Sequence, residues 1–177
     1  MIQTTFNNFS LSGKRIFVAG HTGMVGSAIV RLLNNIDCEI LTVSSQELDL
    51  KQSSKVDKWF DDHRPDAVFL AAAKVGGILA NSSYPADFLI DNLSIQNSVI
   101  TNAFKYKVKK LMFLGSSCIY PRNANQPIKE SSLLTGILEP TNEAYAIAKI
   151  AGIKLCQFYR KQYGVDYVSV MPLSLIH

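Results

Sequence analysis

Gly20-His21-Thr22-Gly23-Met24-Val25-Gly26 is the stretch whose reading decides the fold. It follows a short apolar run, Arg15 to Gly20. It opens a segment, Met24 to Leu33, in which Val25, Ala28, Ile29, Leu32 and Leu33 recur at helical spacing. A glycine triplet alone is weak, because scattered glycines produce one by accident. Placed between a first strand and a first helix it becomes specific. Gly20 suits the tight turn, Gly23 lets backbone approach a pyrophosphate, and Gly26 lets the helix pack closely on the strand. The helix N-terminus adds free N–H groups and the positive end of a dipole. The spacing is GxxGxxG rather than GxGxxG, and His21, Thr22, Met24 and Val25 join the three glycines as candidate dinucleotide contacts.

Outward from this loop, strand and helix patterns alternate. Glu39 to Val43 reads as a second strand, and Ser53 to His63 as a helix with Val56, Trp59 and Phe60 on one face. Ala67 to Ala73 is a continuous buried-strand run. Pro85 to Tyr106 is a long helix that starts on its proline. Lys110 to Ser116 is the next strand. A loop with Pro121, Pro127 and Pro140 leads to a helix from Asn142 to Tyr163, stopped by Gly164, and Asp166 to Met171 is a last strand. The fold class expected is α/β, a Rossmann-like doubly wound parallel sheet. Ligands of such sheets sit beyond the carboxyl ends of the strands, here just after Val18, Val43, Leu70, Leu114 and Val170.

Composition narrows the function classes. The chain has 177 residues, 47% hydrophobic and 18% charged, which argues against disorder. A net charge of +4 is modest, and the basic residues are scattered apart from Lys105 to Lys110, a solvated helix end. No nucleic-acid surface is expected. Cys38, Cys118 and Cys156 lie far apart without a CxxC pair, so neither a disulfide framework nor a metal site is expected. The first twelve residues do not read as a signal peptide, and Lys74 interrupts the best apolar run, so the expectation is a cytoplasmic protein without a membrane span. His21 belongs to the glycine loop and His63 to a solvated helix end.

At the end of the second strand an acidic residue would read a ribose 2′-hydroxyl. Val43 is followed instead by Ser44-Ser45-Gln46, which removes repulsion of a 2′-phosphate and favours NADP over NAD, although no arginine stands there to grip it. Asp49 and Leu50 either reach the adenine or cap the following helix. Two stretches match Y-x-x-x-K. Tyr106/Lys110 lies at the amino end of a strand, the wrong edge for chemistry, and reads as surface. Tyr145/Lys149 lies in the first turns of a long helix, where four-residue spacing puts both on one face. Ser116 and Ser117 close the fourth strand and can converge on the same crevice. An ammonium near a phenol lowers its pKa toward the range a proton shuttle needs, and Ser116 can hydrogen-bond the same substrate oxygen.

These residues resemble the GDP-L-fucose synthase family of extended short-chain dehydrogenases/reductases, epimerase/reductases acting on GDP-4-keto-6-deoxy-D-mannose. The resemblance runs from about Lys14 to Pro172, through AGHTGMVGSAIVRLL, LAAAKVGGILANSSYPADFLIDN, LMFLGSSCIYP and LEPTNEAYAIAKIAGIKLCQFY. The second and third of these segments are far more specific than YxxxK. The resemblance implies a reductase set of Ser116, Tyr145 and Lys149, with Tyr145 donating a proton to the C4 oxygen as NADPH delivers hydride. It implies that Cys118, which on its own reads as a small buried hydrophobe, is the acid/base of epimerisation. It places Ser44, Ser45, Asp49, Leu50, Ala71, Ala72, Ala73, Leu114, Gly115, Ser116, Ser117, Lys149 and Pro172 with the glycine loop at the cofactor. The resemblance implies that Val75, Gly76 and Gly77, after Lys74, line the sugar pocket, and that the two long helices form a homodimer interface in a complete chain, where apolar positions such as Ile150, Ile153 and Leu155 either serve that contact or cover the sheet.

The departures are as informative. The family commonly carries an arginine at the position of Thr22 and a basic residue near Ser44 to Gln46. After Met171-Pro172 it continues differently from Leu173-Ser174-Leu175-Ile176-His177, and its second epimerisation group, a histidine farther downstream, has no match in His177. The expected division is therefore an N-terminal extension, 1–13, an NAD(P)-binding domain, 14–172, and a divergent tail, 173–177, with the substrate domain largely absent. Such a fragment is expected to have low or no activity. The alternatives are a non-catalytic NADP-binding protein of the same fold, or another nucleotide-sugar epimerase or dehydratase.

Overall fold

The computed structural model describes residues 9–172. Residues 1–8 of the expected extension and the whole 173–177 tail, His177 included, lie outside the described residues. Five strands, β1 (Arg15–Ala19), β2 (Glu39–Leu41), β3 (Ala67–Leu70), β4 (Lys110–Leu114) and β5 (Asp166–Val170), alternate with helices α1 (Met24–Leu33), α2 (Ser53–His63), α3 (Ile78–Ser83), α4 (Pro85–Lys105) and α5 (Glu143–Tyr163). The strands form one sheet in the order β2-β1-β3-β4-β5. Every pairing is parallel, with Phe17 between Leu41 and Val68, and Met112 between Phe69 and Val168.

Connection handedness decides which helix covers which face. The step from β1 to β2 runs one way across the sheet and the later steps run the other. Right-handed crossovers therefore put α1 on one face and α2, α4 and α5 on the opposite face. The packing follows. Phe17, Val68, Leu70, Leu111, Phe113 and Tyr167 bury against Val56 and Phe60 of α2, Val99, Ile100 and Ala103 of α4, and Ile150, Ile153 and Cys156 of α5. Ile150 and Ile153 thus cover the sheet. On the other face Ile16, Val18 and Ala67 meet Leu33, with Ile29 and Val30 alongside. Phe9 and Leu11 pack there too, and the Gly13 N–H donates to the Asp37 carbonyl at 2.6 Å, so the packed core begins before Lys14. Beyond α1, Met112, Val168 and Val170 on the same face stay half-buried.

α4 starts at Pro85 in its first turn and α5 ends on Gly164, at φ 69°, both as the local chemistry requires. The strands are shorter than their apolar runs. β2 stops at Leu41 rather than Val43, β3 at Leu70 rather than Ala73, and β4 at Leu114 rather than Ser116. The last bridges across the rim are Ala71 N–H to Ala19 O and Gly115 N–H to Val170 O, each 2.9 Å. Past them the neighbouring chain has turned away, so the ends of the apolar runs become crevice wall. α3 was not anticipated. Its six residues are too few to show a helical period, and the buried Asn81 stitches it to the preceding loop through Gly76 O at 2.8 Å and Gly77 O at 3.1 Å. No helix among the described residues is long and apolar enough to cross a membrane.

Candidate active site

In this strand order the chain reverses direction between β1 and β3, and the crevice at their carboxyl ends is the ligand position of doubly wound sheets. A cleft of about 850 Å³ opens there. All seven residues from Gly20 to Gly26 line it, together with Ser44, Ser45, Asp49, Leu50, Ala71 to Ala73, Val75, Leu114 to Ser117, Tyr145, Lys149 and Pro172.

The glycine loop divides its work between fold and ligand. Gly20 sits at φ 84°, and a Cβ on it would fall 2.6 Å from the Ala72 nitrogen. A Cβ on Gly26 would fall 2.1 Å from the Gly20 carbonyl oxygen, so α1 meets the loop only because that side chain is absent. Gly23 differs: its Cβ would meet nothing nearer than Gly20 O at 3.4 Å. Space above Gly23 is left open to the cleft. Gly23 also begins α1 in extended conformation without a side-chain cap, leaving the first-turn N–H groups for an anion. The buried Nδ1 of His21 has no partner among the described residues.

Along the next wall the chain leaves β2 and turns at Ser44. The Ser44 N–H and Oγ–H donate to Glu47 Oε2 at 3.1 and 2.7 Å, and the Glu47 N–H returns a bond to Ser44 Oγ at 3.3 Å. This is a reciprocal capping box. It holds the Glu47 carboxyl below its ordinary range through the Ser44 bonds. Glu47, three residues downstream, folds its carboxylate back onto Ser44 but is not among the residues lining the cleft, so the wall after Val43 is uncharged as the sequence reads. Asp49 lines the cleft and also accepts from Lys51 N–H at 3.0 Å, while the residue that caps α2 is Gln52.

On the third wall, the loop after β3 is held by Asn92. Its Oδ1 accepts from Lys74 N–H at 2.9 Å, and its amide donates to Lys74 O at 3.0 Å and Phe88 O at 2.7 Å. Lys74 Nζ pairs with Asp91 at 2.9 Å. Val75 reaches the cleft, but Gly76 and Gly77 are not among its walls. Gly76 is packed under Phe88, whose Cζ would lie 2.8 Å from a Cβ there.

The polar corner comes from β4 and α5. Tyr145 and Lys149, one turn apart, share a face and point at the end of β4. Lys149 is only 4% exposed. Its ammonium donates to Leu114 O at 2.8 Å and lies 4.8 Å from the Phe113 ring and 5.7 Å from the Tyr145 ring. Burial brings its pKa down to about 8. Tyr145 moves the opposite way from the expectation. Burial, with the neighbouring Cys118 thiol, pushes it up to about 12. The physical reason is that the Lys149 proton is committed to a backbone carbonyl and desolvation of the phenolate dominates. Cys118 Sγ donates to Ser116 Oγ at 3.3 Å. Its own pKa is raised by burial, against a smaller lowering from Ser116 and Lys149. Cys118 is therefore beside Ser116 but outside the cleft wall.

The other Y-x-x-x-K pair is far from this corner. Tyr106 OH donates to Asp57 at 3.0 Å and Lys110 pairs with Asp166 at 2.6 Å, at the amino ends of the strands. Val43 and Gln46, which flank the serines at the strand end, also line the cleft, as do Leu48 and Ile95, which carried no signal in the sequence. Ile95 arrives from the middle of α4, where an apolar residue reads simply as core.

A parallel doubly wound sheet whose glycine loop faces Ser116, Tyr145 and Lys149 across one crevice defines a Rossmann-type domain of the short-chain dehydrogenase/reductase kind. More narrowly, the chain belongs to the NAD dependent epimerase/dehydratase family, whose model matches residues 16–176. It is 60% identical over 167 residues to the GDP-L-fucose synthase of Sinorhizobium fredii, covering 94% of this chain and 53% of that one. It is 57% identical to the GDP-L-fucose synthase of Escherichia coli, covering 93% and 52%. Among solved structures it is similar to a GDP-mannoheptose C4 reductase from Campylobacter jejuni with NADP bound, at TM-score 0.88 and 40% identity over 92% of this chain and 52% of that one. A GDP-L-fucose synthetase from Naegleria fowleri bound to NADP superposes with TM-score 0.81 at 29% identity, covering 93% and 51%. The chain thus spans about half the length of the curated relatives it matches.

Proposed function

We propose that this chain is the cofactor-binding half of an NADP(H)-dependent epimerase/reductase that makes GDP-L-fucose from GDP-4-keto-6-deoxy-D-mannose. One observation carries the reading: Ser116, Tyr145 and Lys149 converge on the same crevice as the glycine loop. The residues fit a dinucleotide. Gly23 leaves room for a pyrophosphate, uncapped first-turn N–H groups of α1 face it, and Ala71 to Ala73 line a wall for a ribose. The bound cofactor supplies hydride to the sugar C4.

The chain's own groups manage protons and position. Tyr145, with its pKa raised to about 12, keeps its proton throughout the neutral range and is the donor to the C4 oxygen as that oxygen gains charge. Ser116 hydrogen-bonds the same oxygen. Lys149 binds the nicotinamide ribose and presents positive charge beside the phenol. Cys118 exchanges a proton at a carbon acidified by the neighbouring ketone, with Ser116 at hand to pass on its hydrogen bond. Val75 borders the sugar. The GDP portion is left to residues beyond this half. Exposed Ile90 on α4, and Ile147 and Phe158 on α5, suit the homodimer contact of those two helices. The three unpaired cysteines suit a reducing, cytoplasmic setting.

Two measurements test the reading. NADPH should bind the 177-residue chain in a fluorescence titration. Residues 1–172 joined to the remaining half of the E. coli relative should turn over GDP-4-keto-6-deoxy-D-mannose, and Tyr145→Phe should remove at least 99% of that turnover. A chimera that folds and binds NADPH yet stays inactive would favour the non-catalytic alternative.

A further inference from the structure

Among the described residues lining the cleft, two side chains can carry positive charge, His21 and Lys149. Lys149 serves the corner at the end of β4, with its ammonium on Leu114 O. His21 belongs to the glycine loop, directly after the turn at Gly20 and two residues before Gly23. It therefore flanks the place where an adenosine ribose leads into the pyrophosphate. The other walls at that end, Thr22 and Val43 to Gln46, are uncharged. His21 is half-buried, and its Nδ1 is buried without a hydrogen-bond partner among the described residues. A buried nitrogen left unpaired costs about 1–3 kcal/mol, and an acceptor oxygen on a ligand would offset that cost.

The charged groups around His21 are carboxylates of the turn after β2. Glu47 stands behind the wall, its carboxyl held low chiefly by the Ser44 bonds and to a smaller extent by the charge of His21. Asp49, two residues on, lines the cleft. The loop after β3 brings only Ala71 to Ala73 and Val75 to the cleft. The basic side chains of the neighbouring elements are engaged elsewhere: Arg31 of α1 with Ser27 at 3.4 Å, and Lys51 and Lys74 with Asp91 at 3.4 and 2.9 Å. A 2′-phosphate carries nearly two negative charges at pH 7, and a 2′-hydroxyl carries none. A protonated imidazole donates from both nitrogens and meets a phosphate with a charge-assisted bond.

We propose that protonated His21 is the group that grips the 2′-phosphate of NADP in this chain, so that its preference for NADP over NAD strengthens as pH falls. The inference rests on the NADP reading above and concerns only the adenosine end of that cofactor. His21 supplies from the glycine loop the positive charge that Ser44, Ser45 and Gln46 do not supply from the strand end. The pyrophosphate over Gly23 and the nicotinamide corner at Lys149 are common to both cofactors and do not discriminate between them.

The test is calorimetric titration of the 177-residue chain with NADP+ and NAD+ at pH 6.5 and pH 8.5, an interval across which histidine changes charge. Lys149, with its pKa of about 8, acts on both cofactors alike and cancels in the ratio of their affinities. The advantage of NADP+ over NAD+ should be about fivefold larger at pH 6.5 than at pH 8.5. Proton uptake by the 2′-phosphate itself, centred near about pH 6, works in the opposite direction. His21→Gln keeps a polar side chain and removes the charge. In that variant the NADP+ advantage should stay level or fall toward pH 6.5, with NAD+ affinity and Tm unchanged. An advantage that does not grow at pH 6.5 in the parent, or that grows equally in His21→Gln, overturns the assignment while leaving the cofactor reading in place. If neither dinucleotide binds at either pH, the cofactor reading itself has failed and this inference falls with it.

Discussion

Lys149→Met is expected to stabilise the 177-residue chain by about 2 kcal/mol at pH 7, although Lys149 is central to the proposed chemistry. Lys149 is only 4% exposed, and its pKa stands at about 8 against an ordinary 10.5. At about 1.4 kcal/mol per pKa unit, keeping it charged in the folded chain at pH 7 costs about 3 kcal/mol. Methionine has similar length and no charge to desolvate. It cannot bond Leu114 O, however, and that loss returns about 1 kcal/mol. Because the folded pKa lies below the unfolded one, the cost is fully present below pH 8. Between pH 8 and 10.5 the folded chain has released a proton that the unfolded chain still holds, so the cost fades as pH rises through that window.

Urea unfolding of both proteins, followed by circular dichroism at pH 7 and pH 10.5, measures this directly. Other titrating groups are common to the two chains and cancel in the difference. The gain at pH 7 should correspond to a Tm rise of about 6 °C for a domain of this size, and at pH 10.5 it should vanish or reverse slightly. A Lys149→Met chain that is less stable than the parent at pH 7 would refute the reasoning. It would mean that the Leu114 bond and the Phe113 ring repay the desolvation in full. Agreement would identify Lys149 as a group kept for chemistry at the expense of stability.

The glycine loop gives a contrast between neighbours. Gly26→Ala should destabilise by about 3 kcal/mol, since its methyl would have to displace backbone, whereas Gly23→Ala should leave stability within about 1 kcal/mol and weaken dinucleotide binding at least tenfold. Thermal melts and NADPH titrations on the two variants separate these effects. Burial holds the Cys118 thiol above its ordinary pKa, so iodoacetamide should modify it more slowly than free cysteine at pH 7.5 and faster as pH rises past 9. In Lys149→Met the modification should slow further, because the nearby ammonium helps the thiolate; mass-spectrometric mapping of the alkylated peptide reads both.

Much of this protein is determined locally and could be read in one dimension. The turn at Gly20, the start of α4 at Pro85 and the stop of α5 at Gly164 depend on residue types whose backbone preferences act without partners. The parallel sheet followed from the alternation of apolar runs with helical periods, since those runs must be buried on both faces. The pairing of Tyr145 with Lys149 followed from helical spacing alone, and the rejection of Tyr106/Lys110 from which end of a strand it occupied.

What the sequence did not contain is whatever depends on how deeply a group is buried and on what folds back against it. Lys149 and Tyr145 are four residues apart in any helix. Only the depth of the corner, and the Leu114 carbonyl waiting there, turned an expected lowering of the tyrosine pKa into a rise. Ser44 and Glu47 stand at capping-box spacing, but that their bonds close the turn after β2 beside the cleft required the folded chain. Ile95 and the displacement of Gly76 and Gly77 from the wall likewise arise from α3 and α4 packing over the β3 loop. Local chemistry determines which elements form and where they end. Burial and the proximity of distant residues belong to the assembled sheet and helices, and these decide the protonation and charge that the site presents.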